Sequence, residues 1–107
     1  MQIDSGAIIF DVYGEAIPKK AEDGTDKDPW TLGDLIATAF LTPLKGDEQV
    51  TSIDEKLEAY RFAKTFAGSK SVVEVSPEDL VKIRKRVAKA FHTMMAGPAL
   101  ELLDKRD

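Results

Sequence analysis

The 107-residue sequence has no cysteine and one histidine, His92. Without cysteine there is no disulfide, zinc–thiolate site, iron–sulfur cluster or cysteine nucleophile. One histidine cannot build a multi-histidine metal centre within a chain. Long apolar runs are also missing: none approaches the ~20 residues that cross a bilayer. Residues Met1 to Gly6 lack the basic and apolar regions of a secretory signal. No G-x-G-x-x-G, Walker A, H-E-x-x-H or G-x-S-x-G motif occurs. These absences predict no cofactor, no metal, no membrane partner and a cytoplasmic location.

What is present is the composition of one globular domain spanning 1–107, at 43% hydrophobic and 32% charged residues. The net charge of −4 hides an asymmetry. Residues 1–50 hold 10 acids and 4 bases, and residues 51–107 hold 9 acids and 11 bases. Neither half is basic enough to mark a nucleic-acid binder by charge alone.

The chain reads as α+β, mainly α. Ala7 to Ile17 is rich in β-formers, and Asp11 and Gly14 suit the first and last positions of a type I turn. A hairpin over 7–17 is expected, closed off by Pro18 and packed on helices, since two strands are not stable alone. Residues 18–30 read as a mobile acidic loop, because seven of the ten from Lys19 to Asp28 are charged. Asp23 to Asp28 fails the calcium-loop pattern of alternating ligands, central Gly and terminal Glu.

Four helices are expected, over about 32–42, 52–67, 77–95 and 98–104. Thr31-Leu32-Gly33-Asp34 and Ser52-Ile53-Asp54-Glu55 are capping-box variants. Trp30 is placed to staple onto Leu35. Ser76-Pro77-Glu78-Asp79 combines an N-cap hydroxyl, proline at the first helical position and two first-turn acids. Pro43, Gly68 and Gly97-Pro98 are the stop signals. Val72 to Val75 reads as a third short strand that adds to the hairpin.

Two surfaces stand out. Lys82, Lys85, Arg86 and Lys89 share the face opposite Leu80, Ile83 and Val87. They form a candidate anion or phosphate-backbone site, set against the plainer reading of a solvated helix face. Phe62, Phe66, Met94 and Met95 are candidate partner-binding residues. The second helix carries more apolar residues than one face buries. The methionines near His92 suit an adaptable contact, although core packing is their commoner role. His92 lacks a nucleophile or carboxylate at helical spacing and reads as a surface residue. The acid pairs Asp54/Glu55 and Glu78/Asp79 are explained by helix dipoles.

The whole layout resembles small proteins of about this length encoded by tailed bacteriophages and prophages. The resemblance rests on Asp11, Gly14 and Ile17 of the hairpin, and on Thr31-Leu32-Gly33-Asp34. It continues through Glu55, Lys56, Tyr60 and Ala63, then Ser76, Glu78, Asp79, Ile83 and Lys85, and ends at Gly97 and Leu103. The long acidic loop and the Lys/Arg-dense third helix depart from that group's pattern. The resemblance carries no catalytic or ligand residues. It implies a non-enzymatic accessory protein of the bacterial host cytoplasm that acts through protein–protein contact or self-association, tail assembly included. The alternative is a module that binds an anion, nucleotide or nucleic acid through the basic face, for example against a host defence system.

Overall fold

A computed structural model of the chain describes residues 1–20, 26–42 and 52–104. In chain order the elements are β1 (Gln2–Asp4), β2 (Pro18–Lys20), β3 (Asp26–Pro29), α1 (Leu32–Leu41) and α2 (Ile53–Phe66). They are followed by β4 (Val72–Glu74), α3 (Pro77–Ala90) and α4 (Thr93–Asp104). The fold is α+β and mainly helical.

Three helix starts follow their expected caps. The hydroxyls of Thr31, Ser52 and Ser76 accept from the amides of Asp34, Glu55 and Asp79. Each satisfies one of the donors that a first turn leaves open. α1 stops at Leu41, and Thr42 is extended as the following Pro43 requires. α1 runs through the middle of the molecule and packs on α2, α3 and α4. Leu32, Leu35, Ile36 and Ala39 of α1 are buried with Ala63 and Phe66 of α2. Ile83 and Val87 of α3 and Ala99 and Leu103 of α4 complete this core.

The β elements are arranged differently from expectation. Val72–Glu74 is a strand, but it pairs antiparallel with Gln2–Asp4 and not with the 7–17 hairpin. Ile3 supplies the reason: it is the buried residue of β1 and pairs with Val73 against the core. The turn at the hairpin tip is as expected. The Gly14 amide donates to the Asp11 carbonyl, and Asp11 Oδ1 accepts from Tyr13 and Glu15. Gly14 takes φ +80°, which only glycine adopts at no cost. Beyond the tip, however, only Phe10 and Ala16 form a bridge.

Nor does Pro18 close the hairpin. It opens β2, which pairs antiparallel with β3 through Pro18–Pro29 and Lys20–Asp26. The stretch 18–30 is therefore flanked by paired strands where a loop was expected, and residues 21–25 lie outside the described residues. Three backbone groups knit this region. Ile9 donates to Trp30, Trp30 to Ile17, and Ile17 back to Ile9, at 2.9, 2.8 and 3.0 Å. That ring seats Ile9 fully buried under the start of α1.

Close approach fixes Gly33. A Cβ there would stand 2.8 Å from the Phe66 carbonyl oxygen and 3.0 Å from Ser5 Cβ. Its amide donates to the Ser5 carbonyl, so β1, α1 and the end of α2 meet at this glycine.

The third helix ends earlier than its apolar pattern predicts. α3 stops at Ala90, Phe91 is extended, and α4 begins at Thr93 instead of after Gly97-Pro98. No glycine or proline lies between Lys89 and Ala96, so local propensity does not impose the break. Tertiary packing does: the extended Phe91 presents its ring edge-on to Trp30 at 6.2 Å. α4 then returns along α3. Trp30, expected against Leu35, takes Phe91 as its aromatic neighbour. Gly97 and Pro98 are carried inside α4, and Ala96 and Ala99 on either side of them are buried. Residues 43–51, between α1 and Ser52, lie outside the described residues, as does the tail 105–107.

Candidate functional site

Half of the basic face is committed to the fold. Arg86 reaches the C-terminal end of α1, where Nε donates to the Ala39 carbonyl and Nη2 to the Thr42 carbonyl. It neutralises carbonyls that a helix end leaves open. Lys82 pairs with Glu58 of α2 at 3.0 Å, and this hydrogen bond raises the lysine's pKa. Arg84 pairs with Asp104 at 3.3 Å. Of the four expected anion ligands, Lys85 and Lys89 make neither an ion pair nor a side-chain hydrogen bond among the described residues. The pattern answers the acids of neighbouring helices more than it builds a phosphate track.

The aromatic candidates on α2 are covered from within. Phe66 is fully buried in the core. Phe62 stacks on Phe40 of α1, with ring centroids 4.7 Å apart and planes 20° from parallel. Phe66 presents no free face, whereas Phe62 is partly buried and borders an open pocket of about 260 Å³ with Glu58, Arg61, Thr65 and Asp79. The exposed apolar residues of α2 are Ile53, Leu57 and Tyr60.

A second exposed apolar set is formed by the hairpin and α4. Val12 and Tyr13 at the tip are 77% and 84% exposed. Phe10 is half exposed, and Met94 is 65% exposed, while Met95 is partly buried against the core. Two open grooves flank the tip. The larger, about 430 Å³, runs between Ile8, Phe10, Asp11 and Val12 on one side and Thr93, Gly97, Pro98, Glu101 and Leu102 on the other. The second, about 370 Å³, lies between Ile17 and Pro18 and the α3–α4 junction at Phe91, His92, Met94 and Met95. Asp11 borders both. Sequence reasoning found Met94 and Met95 but took Phe10, Val12 and Tyr13 only as residues of the hairpin and its turn. Their clustering beside a five-residue turn was the available signal.

Asp11 and His92 thus share a groove, yet no hydrogen bond joins them. The Asp11 carboxylate is instead spent on turn amides through Oδ1. His92 contributes its carbonyl to the first turn of α4, accepting from Met95 and Ala96. A catalytic pair needs a base oriented by its carboxylate and a nucleophile within reach, and this groove assembles neither. Among the described residues no group of three or more His, Cys, Asp or Glu side chains is placed to hold a metal.

The best-developed polar cluster lies at the start of α1. Asp34 pairs with Lys19 of β2 through Oδ2 and accepts the Gly68 amide through Oδ1 at 3.0 Å. Burial pushes its carboxyl upward, but Lys19, the Gly68 amide and the Thr31 hydroxyl together hold the pKa below the usual value. Lys19 Nζ also stands 5.5 Å from the Trp30 ring centroid. Every member has an intramolecular partner, so the cluster fastens β2, α1 and the end of α2 together. No helix among the described residues is long and apolar enough to cross a membrane. In comparisons with protein-family models, curated proteins and solved structures, nothing matched this chain.

Proposed function

We propose that this chain acts by binding another protein, as a non-enzymatic accessory component of the kind small phage and prophage proteins supply, tail assembly among the settings. One observation carries the reading: exposed Phe10 and Val12 line one mainly apolar groove and exposed Met94 another, with Tyr13 exposed on the turn next to Val12. Scattered apolar residues on a surface are ordinary, whereas a contiguous set of large ones beside a groove marks an interaction site. The interface shifts from the aromatic face of α2 to the hairpin and α4, while Met94 is kept from the original candidates. The anion-binding alternative loses support, because Arg86 and Lys82, two of its four residues, already hold partners within the chain.

The test is co-expression of the full chain with the products of adjacent genes, followed by size-exclusion chromatography with light scattering. The wild type should elute in a complex, or as a self-assembly. The double variant Tyr13→Ser/Met94→Gln should elute as free monomer with an unchanged circular dichroism spectrum. Identical elution of the two proteins would overturn the reading.

A further inference from the structure

The larger groove has a chemistry that narrows what it receives. Its apolar walls are Phe10 and Val12 of the hairpin and Pro98 and Leu102 of α4. Among the described residues its two ionisable groups, Asp11 and Glu101, are both acids and no cation lines it. α4 treats its two acids differently. Asp104 is paired with Arg84 of α3, whereas Glu101, three residues earlier, is exposed and makes no ion pair among the described residues. Lys82 and Arg86 are likewise drawn away, to Glu58 and to the end of α1. On the facing side, Asp11 Oδ1 is engaged by turn amides, and that bond fixes where the carboxylate stands. An apolar channel bordered by uncompensated acids attracts cations and penalises acidic partners.

Resting on the protein-binding reading above, we propose that this groove receives an amphipathic, basic segment of a partner protein. Apolar side chains of that segment enter between Phe10, Val12, Pro98 and Leu102. Its Lys or Arg side chains reach Asp11 and Glu101.

The experiment titrates the isotope-labelled full chain with short synthetic peptides of leucine alternating with lysine, glutamine or glutamate, followed by amide chemical shifts. Leucine–lysine peptide should shift Phe10 to Val12 and Gly97 to Leu102, and should bind about fivefold more tightly than leucine–glutamine. Glu101→Gln should weaken the lysine peptide about threefold and leave the glutamine peptide unchanged, the scale of one exposed ion pair. Asp54→Lys, at the start of α2, should alter neither.

Equal binding of the lysine and glutamine peptides in the groove overturns the basic assignment and leaves apolar docking standing. Tighter binding of the glutamate peptide overturns it likewise. Absence of groove shifts with every leucine peptide overturns both readings. Groove shifts that grow with protein concentration alone replace the basic segment by a second copy of the chain.

Discussion

Two aromatic-bearing surfaces of this molecule meet opposite fates. On the α1–α2 seam, Phe40 and Phe62 stack on each other and the backbone beneath them is regular helix. At the hairpin tip, Phe10, Val12 and Tyr13 stand out from a turn held by one carboxylate and one bridge. The seam has satisfied its apolar surface inside the chain. The tip has a hydrogen-bonded turn and exposed apolar side chains, the feature on which the proposed contact surface rests. Aromatic content alone therefore does not locate an interface; what matters is whether the fold itself supplies the neighbour.

Mutations should sharpen that contrast, and the largest effects belong to the interior. Phe66→Ala or Ile83→Ala should cost about 3–5 kcal/mol in urea unfolding, because each empties a fully buried site. Next, Arg86→Ala should cost about 1–3 kcal/mol, since it removes the donors from two carbonyls at the end of α1. A loss well below that range would mean that water replaces the arginine readily. Asp34→Asn should cost about 1 kcal/mol at neutral pH, an ion pair that is partly exposed and therefore screened.

The pH dependence of Asp34 has a definite sign. Its pKa is lower folded than the ordinary 3.8, so its contribution is present above that value. The contribution is lost as pH falls through the lower folded value. The gap between wild type and Asp34→Asn should thus be full at neutral pH and close under stronger acid, read from thermal melts across the carboxylate range.

A double-mutant cycle on Phe40 and Phe62 should return a coupling of about 0.5–1.5 kcal/mol, as stacked rings give. The smallest effect belongs to the tip: Tyr13→Ser should change stability by less than about 0.5 kcal/mol. If it costs as much as the seam cycle, the tip is structural and the contrast fails.

Much of the local structure was legible, and the reasons are particular. Thr31, Ser52 and Ser76 announce helix starts because an N-cap is a bond between residues three apart. The Asp11–Gly14 turn is equally local. What the sequence hides are pairings across long separations. Nothing near Val73 says that its partner is Ile3, and nothing near Phe91 says that Trp30 ends its helix. The site suffered for the same reason. Phe62 looks surplus on a helical wheel because its partner, Phe40, lies on another helix. Phe10 and Val12 look ordinary because the groove they line is completed by α4, some ninety residues along the chain. The basic face was legible as residues but not as roles, since its partners, Ala39, Thr42, Glu58 and Asp104, are all distant in sequence.

The ring of backbone bonds among Ile9, Trp30 and Ile17 has a dynamic meaning. Each amide is locked by a carbonyl of a different segment, so none of the three opens by fraying from a strand end. Exchange of any one with solvent requires two segments to part while the third stays bonded to both, so the base of the hairpin should open as a unit with the approach to α1. A partner pulling on the tip would thus be felt at the first turn of the central helix.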